Sequence, residues 1–180
     1  RHQVAPFVSV TEKAAFVFIE NSYNPITMKS AEKKNFMNMS NARLPEQLKK
    51  MKELQKAGVC LFCKRNFIRY QTAPVIREKK WWLIRKNDYP YDGSRIHLLL
   101  IYKKHINSVD KISKNGMIEF LDHVKWVKNK FKIPGSTFLI RSGDNKYTGA
   151  TITHLHAHIV SGYKQKKKKD YILATIGYKK

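Results

Sequence analysis

The stretch Thr151-Ile-Thr-His154-Leu-His156-Ala-His158-Ile-Val160 holds three of the seven histidines of this 180-residue chain, spaced two residues apart. Successive side chains of a β-strand point to opposite faces, so the three histidines are predicted to share one face of a strand. The apolar residues between and after them are predicted to face a hydrophobic core. A strand with polar residues on its solvent face is the simpler interpretation, but three histidines out of seven disfavour it.

The same residues match a longer pattern, His-φ-His-φ-His-φ-φ, in which φ is an apolar residue. This pattern is the signature of the histidine triad (HIT) superfamily. Over about residues 58 to 178 the chain resembles the dinucleoside polyphosphate (diadenosine tetraphosphate) hydrolase branch of that superfamily. The resemblance implies an α+β fold, with an antiparallel sheet of about five strands and two main helices. It also implies a homodimer, because family members often pair their sheets across a two-fold axis.

The histidines suit phosphoryl chemistry. A neutral imidazole is a good nucleophile near neutral pH, and a covalent intermediate divides one difficult displacement into two easier ones. In the superfamily the middle histidine attacks the α-phosphorus, which implies that His156 becomes nucleotidylated and that His158 hydrogen-bonds the phosphate or the leaving group. The predicted function is therefore a nucleotide hydrolase or nucleotidyltransferase that cleaves a dinucleoside polyphosphate or a nucleotide conjugate. No glycine-rich Walker loop is present, so a kinase-like phosphate cradle is excluded.

The resemblance also implies residues that hold the nucleotide. Family members carry an Asn-x-x-Pro whose asparagine helps to hold the sugar, and Asn87 stands three residues before Pro90. Thr151 stands three residues before the first triad histidine, where the family places a phosphate contact. Arg141 and Asn145, in the preceding loop, are candidates for further phosphate contacts. His97 follows a longer spacing than the family's Gly-His step, so a structural role is an equal alternative for it.

Both cysteines of the chain lie in one C-x-x-C motif, Cys60 to Cys63. The motif is compatible with a redox pair, two inert buried thiols or half of a zinc site. A closed structural zinc site needs four ligands, so two would have to come from elsewhere. The resemblance implies that these are His105 and the first triad histidine, His154. The sequence thus predicts a structural zinc held by Cys60, Cys63, His105 and His154.

The formal net charge of +23 suggests a second function. A field of this strength attracts nucleotides, nucleic acids or acidic membrane surfaces. Residues 29 to 80 alone hold 14 basic and 4 acidic residues. The alternative hypothesis is therefore a basic nucleic-acid- or ribonucleoprotein-binding protein built on a histidine triad fold, with catalysis secondary or lost. A lysine-biased genome would give the same surface without nucleic-acid binding.

The composition is that of an intracellular globular protein. An apolar fraction of 42% is sufficient for a packed core, and no apolar run is long enough to cross a bilayer. One C-x-x-C does not make the disulfide framework of a secreted protein. These features predict a cytoplasmic protein without membrane partners. The resemblance, not the composition, implies that its substrate is a nucleotide or dinucleotide.

The chain is predicted to consist of an N-terminal extension of uncertain structure, residues 1–40, and a histidine triad domain, residues 41–180. The extension contains two candidate strands, at 7–10 and 15–19, and the sequence leaves open whether it packs on the domain. In the domain, periodic apolar residues predict a helix capped by Ser40 or Asn41 and ended by Gly58, and a second helix capped by Ser113. Strands are predicted at 81–84, 96–102, 137–140 and 171–176, in addition to the triad strand.

Overall fold

The computed structural model describes residues 36–70, 73–166 and 170–180. These residues belong to one compact unit, Lys33–Lys180. The strands predicted at 7–10 and 15–19 lie outside the described residues, so the structure of the N-terminal extension stays a prediction. None of the described helices is both long and apolar enough to cross a membrane.

The unit is built on one five-stranded antiparallel sheet with the spatial order β1-β2-β3-β5-β4. Its strands are β1 (Val75–Glu78), β2 (Trp82–Lys86), β3 (Ile96–Tyr102), β4 (Thr137–Ile140) and β5 (His156–Ser161). The predicted fold class, α+β with an antiparallel sheet of about five strands, is confirmed. The predicted strands at 96–102 and 137–140 match β3 and β4 residue for residue.

Three α-helices cover the two faces of the sheet: α1 (Pro45–Lys56), α2 (Lys64–Tyr70) and α3 (Lys114–Lys130). Side-chain alternation along β2, β3 and β5 sends one set of apolar residues to each face. On one face Trp82, Leu100 and Ala157 pack with Phe120 and Val127 of α3. On the opposite face Leu83, Leu99 and Ile101 pack with Met51 and Leu54 of α1 and with Phe67 of α2.

The ends of the helices follow local chemistry. The Ser113 hydroxyl accepts a hydrogen bond from the Gly116 N–H, so the predicted cap of α3 is present. The predicted caps of α1 are wrong, because the residue before a proline is disfavoured in helical conformation and α1 begins at Pro45, after an extended Leu44. Gly58 follows α1 with a φ of 63°, as its predicted role as a helix stop requires.

Four further differences from the predicted elements stand out. The strands of the sheet include β1, and the helices include the seven-residue α2, neither of which was predicted. The triad strand begins at His156 rather than at His154. The predicted last strand, 171–176, is irregular backbone with an exposed side chain at Leu173. Tyr171 and Ile176 are also exposed, whereas Ile172 is half-buried near Gly162, and the segment adds no strand to the described sheet.

The chain immediately before α1 packs against the triad segment. Met37 is buried and forms an isolated antiparallel bridge with Ile152. The Thr153 hydroxyl and N–H both donate to the Phe36 carbonyl. The end of the predicted extension that the structure describes is therefore attached to the domain, beside the histidines.

Candidate functional site

Strand register brings two triad histidines onto the face covered by α1. His156 pairs with Ile101 and His158 pairs with Leu99 across β3, so these two imidazoles lie on the same side as the apolar residues under α1. Both side chains are largely buried, with 6% and 7% of their surface exposed. They line a cavity between this face and α1. The first histidine, His154, precedes β5 and instead faces the two cysteines.

The hydrogen bonds of His156 define its tautomer. Its Nδ1 lies 2.7 Å from the His154 carbonyl oxygen, which can only accept, so Nδ1 carries the proton. The lone pair is therefore on Nε2. The ring also packs edge-on against Phe62, with the centroids 5.0 Å apart, which fixes its orientation. His156 thus presents a neutral imidazole in a fixed orientation at the cavity.

A chain of hydrogen bonds also defines the tautomer of His158. The Tyr91 N–H donates to Nδ1 of His97 at 3.0 Å, which leaves the proton of that neutral imidazole on Nε2. This Nε2–H donates to Nδ1 of His158 at 2.8 Å. The proton of neutral His158 is then on its own Nε2. His97, for which a structural role was an equal alternative, therefore orients His158.

Arg141 adds hydrogen-bond donors to this group for which the group itself has too few acceptors. Its Nη1 lies 3.2 Å from Nε2 of His158, and its Nη2 donates to the Tyr91 hydroxyl at 3.0 Å. A guanidinium only donates, and Nε2 of His158 already carries a hydrogen, so the two groups cannot hydrogen-bond each other. An acceptor oxygen that lies beside both nitrogens, within hydrogen-bond distance of each, would satisfy both. The arrangement suits a phosphate oxygen at this point.

Burial keeps the site histidines neutral. Desolvation lowers the pKa of His156 and that of His97 to about 4 each. The pKa of His158 is also lowered well below its ordinary value, first by desolvation and then by the neighbouring histidines and arginines. At pH 7 the imidazoles of His97, His156 and His158 are therefore uncharged, and no carboxylate is needed to balance their charge.

The structure places most of the predicted nucleotide-binding residues at the cavity. Asn87, Thr151 and Arg141 line it. The Asn87 Oδ1 accepts from the Tyr89 N–H; its Nδ2 lies 3.0 Å from Nε2 of His97, but both nitrogens carry hydrogens, so this contact is not a hydrogen bond. Asn145 is not among the lining residues: it is buried, and its carbonyl accepts from the Asn38 amide. The turn that holds it is closed by the Tyr147 N–H donating to the Asp144 carbonyl.

Several charged residues of the cavity wall were not predicted. Arg43, just before α1, has its guanidinium 4.6 Å from the centroid of the Tyr91 ring and donates to the Tyr89 carbonyl. Arg85 on β2 is 1% exposed and forms an ion pair with Asp88. Arg85 directly follows the apolar run Trp82-Leu83-Ile84 of β2, and a charged residue at that point is a sequence signal for a buried ion pair. Arg43 gives no such signal.

The predicted zinc ligands come together. Sγ of Cys60 lies 3.4 Å from Nδ1 of His154, and Sγ of Cys63 lies 3.2 Å from Nδ1 of His105. All four potential ligand atoms lie within 4.8 Å of one another. Two thiolates and two imidazoles in a tight group are the donor set of a closed structural zinc site. These residues can therefore hold a metal ion.

The surroundings of the cluster fit a metal as well. Nε2 of His154 lies 2.6 Å from the Tyr102 carbonyl oxygen, so the proton is on Nε2 and the Nδ1 lone pair faces the thiols. Desolvation and the neighbouring Cys63 raise the pKa of Cys60 to about 12, so this thiol stays protonated unless a cation displaces its proton. The donor set, the tautomer and the burial agree with zinc.

The low pKa of His97 predicts an acid-sensitive stability. An imidazole whose folded-state pKa lies below its unfolded value of 6.5 binds its proton first in the unfolded chain. Stability is then complete above about pH 6.5 and decreases as the pH falls toward 4. We expect His97 to account for about 2 to 3 kcal/mol of that loss.

Urea unfolding at pH 7 and pH 4.5 measures this effect. The groups that act on His97 are Arg43, Arg141 and His156, and they are unchanged in a His97→Asn variant. This variant should lose less stability between the two pH values than the wild type. An equal loss in both proteins would show that His97 does not carry the acid sensitivity.

Comparison with known proteins places this chain in a family. A model of the HIT domain matches residues 69–165, and the chain belongs to this family. No curated protein matches the sequence significantly. A hypothetical protein from Leishmania major has a similar structure, with a TM-score of 0.51, 20% identity, and coverage of 69% of this chain and 84% of that protein. This likeness agrees with the fold alone.

Two further solved structures are similar to part of this chain. A HIT family hydrolase from Clostridium thermocellum is 26% identical, over 61% of this chain and 96% of that protein, with a TM-score of 0.47. A zinc-bound histidine triad family protein from Mycobacterium smegmatis is 18% identical, over 65% and 81% of the two chains, with a TM-score of 0.48. The family model begins at residue 69, so α1 and the cysteines lie outside its match.

Proposed function

We propose that this protein is a nucleotide hydrolase or nucleotidyltransferase that cleaves a dinucleoside polyphosphate or nucleotide conjugate at the α-phosphate, through a nucleotidyl-His156 intermediate. The observation that carries the proposal is the pair of opposite tautomers at the cavity. His156 has a lone pair on Nε2, and His158 has a proton on Nε2. A nucleophile and a hydrogen-bond donor for the phosphate or the leaving group thus lie side by side, with ring centroids 5.0 Å apart.

In the first step, Nε2 of His156 attacks the α-phosphorus and forms a P–N bond. The bond from phosphorus to the leaving group breaks, and the leaving group departs as an anion whose oxygen accepts a hydrogen bond from Nε2–H of His158. His156 then carries a positive charge, which its Nδ1–H shares with the His154 carbonyl at 2.7 Å. Arg141 stabilises the charge that develops on the phosphoryl oxygens.

In the second step, water or another acceptor attacks the same phosphorus. The proton of that acceptor passes to solvent, while Nε2–H of His158 keeps donating to a phosphoryl oxygen. The P–N bond breaks, and the electron pair returns to Nε2 of His156. His97 keeps His158 in the correct tautomer throughout, because its own Nδ1 is held by the Tyr91 N–H.

Zinc would supply structural cross-linking when bound to Cys60, Cys63, His105 and His154. These residues connect the turn after α1 to the segments that follow β3 and precede β5. His154 also provides the carbonyl that orients His156. The role of the four residues is therefore to fix the start of β5. The homodimer implied by the resemblance stays a prediction.

The charge of the cavity wall favours a polyphosphate. Arg43, Lys50, Arg85 and Arg141 line the cavity, and Asp88 is the carboxylate among the lining residues. Because Asp88 is paired with Arg85, the other basic groups are available for an anion. Arg43 lies on the Tyr91 ring whose hydroxyl accepts from Arg141, so two guanidiniums flank Tyr91. Such an arrangement suits a leaving group with several phosphates.

We expect Arg43→Gln to slow cleavage of diadenosine tetraphosphate about tenfold and to leave adenosine 5′-phosphoramidate almost unaffected. The reason is that only the tetraphosphate extends negative charge past the α-phosphate toward Arg43, where one charged hydrogen bond contributes about 1.5–3 kcal/mol. Steady-state kcat/KM for both substrates measures the effect. Lys80→Gln on the loop before β2 is the control, because it removes one positive charge outside the cavity lining. Equal losses on both substrates would contradict a polyphosphate contact at Arg43.

The proposed function is tested by product analysis with diadenosine tetraphosphate, adenosine 5′-phosphoramidate and a single-stranded RNA. Release of nucleotide from either small substrate supports the enzyme. Failure to cleave both, combined with RNA binding that weakens steeply with salt, supports the alternative of a basic nucleic-acid-binding protein. RNA is included in the experiment because the net charge of +23 favours binding to nucleic acids.

A further inference from the structure

We propose that Arg85 and Asp88 recognise the nucleobase, and that this protein prefers guanine to adenine nucleotides. This inference rests on the proposed function, because it assumes that a nucleotide occupies the cavity. Both residues line the cavity, and they form an ion pair through Nη2 of Arg85 and Oδ1 of Asp88. The mechanism above makes no use of either.

Arg85 is an unusual residue for a strand interior. It is 1% exposed, and its Nε has no hydrogen-bond partner. Desolvation lowers its pKa, which the nearby Asp88 raises only in part. A buried guanidinium with incomplete hydrogen bonding is costly, so a role beyond packing is favoured. Phe67 lies beneath the guanidinium, with the charge 5.6 Å from the ring centroid, and limits where it can move.

The sheet register places this pair at the right distance from the histidines. Arg85 is opposite Leu99 across β2 and β3, and Leu99 is opposite His158 across β3 and β5. The three side chains thus lie in one row on the same face. Two strand spacings of about 4.8 Å put the Arg85 and His158 backbones roughly 10 Å apart. A nucleoside whose α-phosphate lies at the histidines can extend its base across Leu99 to Arg85.

The chemistry of the pair matches the edge of guanine. O6 and N7 of guanine are adjacent acceptors that fit the fork of an arginine side chain. N1–H and the N2 amino group are donors, which fit a carboxylate. Adenine places its N6 amino group where guanine has O6, so a donor would face the donors of Arg85, and its N1 acceptor would face Asp88. Leu54 and Leu99, which are buried and line the cavity, provide apolar contacts for the faces of either base.

Equilibrium binding of GMP and AMP by titration calorimetry tests this inference without requiring turnover. We expect the wild type to bind GMP more tightly by on the order of tenfold to a hundredfold. Arg85→Lys keeps the positive charge beside Asp88 but removes the fork, so it should weaken GMP binding and bring the ratio toward one. Arg77→Lys is the matched control: Arg77 also pairs with an aspartate, Asp122, but does not line the cavity. It should leave both affinities unchanged.

The outcomes separate this inference from the proposed function. Equal affinities in the wild type, tighter AMP binding, or binding of neither nucleotide would overturn base recognition, whatever the enzyme cleaves. Retained selectivity in Arg85→Lys would also overturn it. Asp88→Asn, at a partly exposed position, provides a second variant if Arg85→Lys fails to fold. Failure of both diadenosine and diguanosine tetraphosphate to be cleaved, with selective GMP binding intact, would instead contradict the proposed function alone.

Discussion

Replacement of His156 by alanine is expected to abolish the covalent nucleotidyl adduct and to lower turnover by at least about 10⁴-fold, as loss of a nucleophile does in other enzymes. The reason is that Nε2 of His156 is the unprotonated imidazole nitrogen identified at the cavity, while Nε2 of His158 carries a proton. His158 therefore cannot replace it without exchanging its proton with His97. Turnover and adduct formation with diadenosine tetraphosphate measure the effect.

A control is needed because His156 lies two residues from a predicted zinc ligand. His123 is a buried histidine on α3, on the opposite face of the sheet, and does not line the cavity. His123→Gln should keep turnover within about twofold, judged against the small effects typical of residues outside the site. Zinc content should be equal in both variants. A His156→Ala protein that still forms the adduct would place the nucleophile elsewhere.

Replacement of Cys60 by serine is expected to remove the metal and to lower the free energy of unfolding by at least about 3 kcal/mol. Cys60 is 2% exposed and His154 is fully buried, so without a metal both polar groups stay inside the protein with each other as partners. The cluster also connects three separate segments of the chain. Elemental analysis of the purified protein and urea unfolding measure the two effects.

The ion itself provides the control for this prediction. Removal of metal from the wild type with a chelator should lower its stability to nearly that of Cys60→Ser, and zinc should restore it. Magnesium should not, because thiolate and imidazole ligands select zinc over a hard cation. A wild type without metal that is as stable as the purified protein would contradict a structural zinc site.

Short-range patterns in the sequence predicted much of the fold. The bounds of β3 and β4 follow from apolar runs between turn residues, and the start of α3 follows from Ser113 as a cap. The alternation of apolar residues after His154 correctly predicted which side of β5 faces the core. The convergence of His105 and His154 with the cysteines was implied by family resemblance, since contacts across 42 and 94 residues cannot be read from local pattern.

The wrong or missing predictions concern segments whose structure depends on contacts with residues distant in the sequence. Residues 171–176 have the composition of a strand, but a strand needs a neighbouring strand for its hydrogen bonds, and this segment forms none in the described sheet. Instead, the Thr175 carbonyl accepts hydrogen bonds from Arg141. Likewise, Arg43 reaches the cavity only because α1 packs on the sheet, so its role has no local signal.

The most direct test of the account is the intact mass of the protein quenched after brief mixing with diadenosine tetraphosphate. The quench should be alkaline, because a phosphorus–nitrogen bond is labile in acid. The account predicts a mass increase of one adenylyl group, assigned by peptide fragmentation to His156 and absent from His156→Ala. Nucleotide release without any adduct, or an adduct on a residue other than His156, would contradict it.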